Sequence, residues 1–190
     1  MLDQEKIYQN KLKFMELLTK LNVDLTEFSK FLDAVDYYNK PASTTYFKAY
    51  QGGLCQYALD LYYELCQLVN AYAPGKYTEE DVIKVALFKD LYRAILYEDC
   101  KKNAYVDGKW QEVKSYKYKE DRPTFGDLGF SSYMVAKHFF EFTDEQIEAI
   151  TQEDTREQYA GDIHDILRSY PLTALTRMAC IAAQYLESDF

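Results

Sequence analysis

Histidine is the residue this chain has least to spend: two in 190 residues. A metalloenzyme built on imidazole ligands has little to work with here. Cysteine does not make up the deficit. Cys55, Cys66, Cys100 and Cys180 form no Cys-x-x-Cys pair and no zinc spacing. Cys55 and Cys66 lie in apolar stretches, where a free thiol behaves as a small hydrophobe. Basic residues are also short. The 22 Lys and Arg face 31 Asp and Glu, for a formal net charge of −9. That balance excludes a general DNA or RNA binder, which needs a basic face toward the phosphates. It speaks equally against an anionic membrane surface. No window approaches the roughly 18 apolar residues that span a bilayer. The opening MLDQEKIYQNKLKFMELL is polar and periodic, without the continuous apolar stretch of a secretory leader. A reducing cytoplasm is the expected compartment.

What is present is ordinary globular material with one excess. The hydrophobic share is 48% and the charged share 28%, so the chain is expected to fold rather than stay disordered. A length of 190 residues fits a single domain spanning 1–190, with a real core and no need of a metal or disulfide staple. The excess is tyrosine, at 19 residues.

Apolar spacing predicts helices for most of the chain. Ile7, Leu12, Phe14, Met15, Leu17, Leu18 and Leu21 form one stripe, and a second helix is expected from Thr26 to Tyr38. Residues 1–34 therefore read as N-terminal helices. NKPASTT breaks the pattern, since Pro41 disfavours helix at Lys40 and Ser43, Thr44 and Thr45 offer caps. Gly52-Gly53 opens the apolar helix LCQYALDLYYELCQLVNAY, which Ala73-Pro74-Gly75 closes. Thr78 and the acids after it start the next helix, and helical spacing runs on through DVIKVALFKDLYRAILYED. Residues 103–120 change period and read as a β-hairpin turning at Asp107-Gly108. After a loop, three or four short helices are expected from about Phe130. Thr143 to Gln146 is a capping box, and Pro171 suits a first helical turn. The expectation is a mostly α domain with one small hairpin insertion.

Three segments stand in a telling order: PASTTYFKAYQGGLCQYALDLY, EEDVIKVALFKDLYRAILY and YPLTALTRMACIAAQYL. With Gly108-Lys109-Trp110 in the hairpin, they resemble the HD-domain proteins, specifically the small phage and prophage HD-like family. The resemblance covers roughly residues 35–188, and its most specific piece runs from Pro41 to Leu54. It implies an HD-like helical bundle in which two His and two Asp hold a divalent metal for phosphate-ester hydrolysis. Position by position, the metal set is degraded. Tyr57 stands where the GGL-x-EHS segment carries its His. Lys89 replaces the His of the His-Asp dyad, whose Asp is kept as Asp90. Cys180 stands for the late helical Asp, and Phe47 for a further His. A Trp-His stretch falls around Gln152 to Asp154, with no His there, and His138 and His164 match no ligand position. One carboxylate does not make a Mg²⁺ or Mn²⁺ centre, and an ammonium at Lys89 repels a divalent cation.

The resemblance thus implies a catalytically inactive relative that acts by binding, with no metal and no cofactor. Lys89 is expected to pair with Asp90 or a nearby acid, filling the space of the metal. The alternative is that Lys89 holds an anionic ligand such as a phosphate, joined by Lys48, Lys84, Arg93 and Arg177 if they face the same cleft. Tyr57 reads as a core or groove aromatic, and Cys180 as core. The many tyrosines, among them Tyr37, Tyr38, Tyr46, Tyr50, Tyr62, Tyr63, Tyr116 and Tyr118, either bury their rings or dress a protein interface. The surface charge reads as solvated, or as mimicry of nucleic acid. In the hairpin, Lys109, Lys114, Lys117, Lys119 and Arg122 alternate with Trp110, Tyr116 and Tyr118. That pattern blunts a sheet edge or binds single strands and nucleotides. A phage-type protein in its host's cytoplasm would bind a host or phage protein, or a nucleotide, and interfere with host defence. Exposed Tyr-rich faces are compatible with a homodimer. The alternative is a metal-dependent nucleotide phosphohydrolase rebuilt around Asp90 with Glu98, Asp99, Asp127, Glu153 or Asp154.

Overall fold

A computed structural model of the chain describes residues 2–106, 108–121, 126–152 and 160–186, the side chains of 160–164 excepted. Helix α1 (Gln4–Thr19) starts where Asp3 accepts a bond from the Lys6 amide, and it buries Ile7, Phe14, Leu17 and Leu18. Helix α2 (Thr26–Ala34) follows. It ends short of the expected Tyr38. Asp36 takes a left-handed φ of 55° and feeds a 3₁₀ turn over Tyr37–Asn39. The reason is packing: both tyrosine rings turn onto Phe14, with centroids 5.1 and 5.9 Å away. A continued helix would not carry both to that ring.

Ser43 turns the PAST segment, its hydroxyl accepting from the Thr45 and Tyr46 amides. Helix α3 (Gly53–Tyr72) then runs through the centre of the molecule. Its start needs glycine twice. Gly52 sits at φ +82°, and a Cβ on Gly53 would lie 2.0 Å from the Lys48 carbonyl oxygen. Helix α4 (Glu79–Phe88) opens on a full capping box between Thr78 and Asp81.

The expected long helix through Asp99 is not formed. Helix α4 stops at Phe88, a turn follows, and α5 (Arg93–Leu96) adds a single turn before the chain extends. Strand β1 (Tyr97–Val106) pairs antiparallel with β2 (Lys109–Tyr118), Tyr97 opposite Tyr118 and Tyr105 opposite Trp110. The hairpin therefore begins at Tyr97, not at 103, and ends at Tyr118, not at 120. Ion pairs across it, Glu98–Lys117 at 3.0 Å, Asp99–Lys114 at 2.9 Å and Lys101–Glu112 at 2.6 Å, support the long register. Asp107 at its turn and Arg122 beyond it lie outside the described residues.

Helices α6 (Leu128–Ala136), α7 (Asp144–Thr151), α8 (Ala160–Ser169) and α9 (Pro171–Tyr185) complete the chain. Thr143 and Gln146 form the expected capping box, and Pro171 occupies the first turn of α9. One hydrophobic core joins α1 to α4, α6, α7 and α9. Phe28, Phe88, Phe139 and Phe140 cluster within it. The fold is mostly helical with a small two-stranded antiparallel sheet. The tyrosines divide: Tyr37, Tyr38, Tyr57, Tyr62, Tyr92, Tyr97 and Tyr116 are buried, while Tyr8, Tyr46, Tyr72, Tyr105, Tyr118 and Tyr185 are exposed. No helix among the described residues is long and apolar enough to cross a membrane.

Candidate functional site

The turn that breaks α4 faces a cavity of about 370 Å³. Into its wall come Lys89, Asp90 and Arg93 from that turn, Tyr57 from α3, and Arg177 and Cys180 from α9. The positions that the resemblance assigned to metal ligands, Tyr57, Lys89, Asp90 and Cys180, therefore meet in one place, although they are spread over more than half of the chain. Phe47 stands behind them, its ring 5.1 Å from that of Tyr57.

Each polar group is held. The Lys89 side chain is buried, and among the described residues it is paired with neither Asp90 nor another acid. Its Nζ donates to the carbonyls of Gln152 at 2.9 Å and Ile150 at 3.4 Å, at the C-terminal end of α7. Unpaired carbonyls and the negative end of the helix dipole favour a cation there. Asp90 pairs instead with Arg93, Nε to Oδ1 at 2.5 Å. Arg93 also donates from Nη1 to the Tyr97 hydroxyl at 2.9 Å, and its guanidinium lies 5.5 Å from the centre of the Phe47 ring. Burial alone disfavours the Arg93 charge, but the Asp90 carboxylate and Tyr97 hydroxyl outweigh it and hold the proton more firmly than usual. Burial pushes the Tyr97 hydroxyl up to about 12, against the pull of Arg93. Burial, with neighbouring Cys180 and Asp90 behind it, pushes the Tyr57 hydroxyl well above its ordinary range, so it is a neutral phenol. Gln184 donates to that hydroxyl at 3.4 Å.

Lys48 is not brought to the cavity. It pairs with the buried Asp60 at 2.9 Å and donates to the Ala183 carbonyl at 2.6 Å. Gln56 bonds Asp60 at 2.6 Å, and Asn10 bonds Gln56 at 2.8 Å. This lysine ties the PAST loop to α3 and α9; it does not face a ligand.

The carboxylates named for a rebuilt metal site do not gather at Asp90 either. Glu98 and Asp99 pair with hairpin lysines, and Asp127 caps α6 at the Phe130 amide, 2.8 Å away. Glu153 and Asp154 lie outside the described residues. His138 is exposed, and the His164 side chain lies outside the described residues. Among the described residues, no three His, Cys, Asp or Glu come close enough to hold a metal ion.

Sequence reasoning missed Gln184, Tyr97 and the place of Tyr118 on the cavity wall. Gln184 was within reach. Arg177, Cys180, Ile181 and Gln184 follow the i, i+3, i+4, i+7 rule of one helix face, and all four line the cavity. Tyr97 and Tyr118 were hidden because their approach depends on where the hairpin starts. Chemically, among the described residues three cations, Lys89, Arg93 and Arg177, share the wall with one carboxylate, Asp90, in a protein whose net charge is −9. Compared with protein-family models, with curated proteins and with solved structures, the chain matches none.

Proposed function

We propose that this chain is an HD-like domain that works by binding, and that its ligand is a nucleotide whose phosphate enters the cationic cavity. The observation that carries this reading is the cavity wall, where among the described residues Lys89, Arg93 and Arg177 stand around one carboxylate, Asp90, that is itself paired with an arginine. A metal would neutralise phosphate charge and activate a water; fixed cations supply the first without the second. The neutral Tyr57 phenol can donate a hydrogen bond, and among the described residues its hydroxyl is met by Gln184 and Cys180 and not by a carboxylate or imidazole that would make it a nucleophile. The phage and host-defence context expected from the family resemblance belongs to the same reading.

The test combines binding with metal analysis. Nucleotides screened by thermal shift and titration calorimetry should stabilise the purified protein, and Arg177→Ala should abolish the shift while the protein stays folded. Stoichiometric bound metal together with nucleotide hydrolysis lost in Asp90→Ala would sink this reading and install the phosphohydrolase.

A further inference from the structure

Helix α9 lacks a charged outer face. Of its 15 residues only Arg177 carries a charge. One side of the helix is used: Leu172, Leu175, Ala179 and Ala183 are buried, and α9 packs on α3, α7 and α8. The other side is open. Met178, Ile181 and Tyr185 are 47%, 59% and 71% exposed, Leu186 follows at 63%, and half-buried Ala174 stands one turn before Met178. A surface helix ordinarily turns polar and charged side chains outward, and a helix that is apolar all round is a buried one. A contiguous apolar stripe on a folded surface marks a contact.

The spacing of the stripe points to what covers it. Ala174, Met178, Ile181 and Tyr185 follow at intervals of four, three and four residues, the repeat of a seam that packs on another helix. Two such stripes run antiparallel about a two-fold axis set Ala174 opposite Tyr185 and Met178 opposite Ile181, and each pairing occurs twice. The smallest residue then faces the largest at both ends, so the seam fills without voids. A parallel pair stacks Tyr185 on Tyr185 and leaves a gap between two alanines. Arg177, the one charge, lies off the stripe. We infer that this face of α9 docks a second copy of the chain, as an antiparallel helix pair in a two-fold dimer. Four large, open apolar side chains from each copy reach about the 1,000 Å² at which specific interfaces begin, so the dimer is reversible and not obligate. The pairing does not depend on what the cavity binds, but it bears on the cavity. Ile181 belongs both to the stripe and to the cavity wall. The second copy's Met178, which meets it, therefore stands at the cavity's edge.

Sedimentation velocity on the full chain, across micromolar to submillimolar concentration, tests the pairing. The wild type should pass from one chain mass to two. Ile181→Glu and Met178→Lys should each raise the dissociation constant about a hundredfold or more, because each leaves an unpaired charge in an apolar seam, with the helical circular dichroism unchanged. Tyr185→Ala, which adds no charge, should raise it about tenfold. An equal mixture of Ile181→Glu and Met178→Lys should restore the dimer, since the antiparallel register sets the new lysine of one chain against the new glutamate of the other. A wild type that stays one chain at every concentration overturns the dimer and leaves the stripe to a different protein or a lipid surface. A dimer that survives both Ile181→Glu and Tyr185→Ala overturns the assignment to α9. Restoration by Met178→Lys mixed with Met178→Glu, and not by the first mixture, overturns the antiparallel register.

Discussion

At the scale of single residues, the cavity shows how neighbours in sequence part company in space. Lys89 and Asp90 are adjacent, yet they serve different partners: one bonds the end of α7, the other Arg93. A helix ends between α4 and these residues, so their directions are set by the turn and not by a helical face. Lys48 makes the complementary point. A cation is an anion site only if no buried acid claims it first, and Asp60 claims this one. Both members of the Lys48–Asp60 pair are largely buried, so removing one strands the other. Lys48→Met should therefore destabilise the protein by about 3–5 kcal/mol in urea unfolding. Adding Asp60→Leu should recover much of that loss, because no carboxylate is then left without its cation. Equal and additive losses from the two substitutions would mean that the pair is not coupled.

At the scale of elements, caps and breaks were legible and the helix-to-strand change was not. Thr78, Thr143 and Pro171 mark helix starts by local chemistry, and each helix begins where they say. The stretch DLYRAILYED carries helical spacing, but its last residues join a strand. What decides between the two is Tyr118 and the residues before it, which supply partners for Tyr97 onward. The start of α3 is decided by close approach instead. The Lys48 carbonyl, which also accepts the Ala42 amide at 3.2 Å, fills the space where a Cβ of residue 53 would sit. Gly53→Ala must push that carbonyl away. It should cost about 1–3 kcal/mol in thermal or chemical unfolding. An alanine tolerated there without loss would show that the PAST loop is held by other contacts.

At the scale of the whole molecule, part of the tyrosine excess is a core property, with seven of the 19 buried. Burial raises the hydroxyls of Tyr37 and Tyr57 well above their ordinary value, and that of Tyr97 to about 12. In the unfolded chain these groups ionise near pH 10. A folded value raised above the unfolded one contributes stability that is complete below the unfolded pKa. It is lost as pH rises from about 10 through the folded values. Stability should hold up to about pH 10 and fall beyond it. Part of the phenolate absorbance should appear only together with loss of the helical circular dichroism. A single phenolate transition near pH 10 with the helices intact would contradict the burial. The same scale sets the electrostatics of entry. The described wall residues carry three cations and one carboxylate within a protein of net charge −9, so the anionic ligand proposed above would cross a repulsive exterior before it reached an attractive wall. Added salt screens the first more than the second, because the exterior charges are exposed and Lys89 and Arg93 are not.

Composition and local pattern determined that this chain folds as a mostly helical body with one hairpin, and where most helices begin. The resemblance to the HD-like family, and not composition or local pattern, singled out Tyr57, Lys89, Asp90 and Cys180 as positions that belong together. Only the tertiary structure decided which charges face the cavity. It drew Lys48 into a pair with Asp60, turned Lys89 onto the end of α7, gave Asp90 to Arg93, and moved the start of the hairpin so that Tyr118 stands at the cavity with Tyr97 packed against it. Spacing along a helix fixes a face. Which side chains a face meets depends on the partners that the other elements bring, and those partners lie far away along the chain.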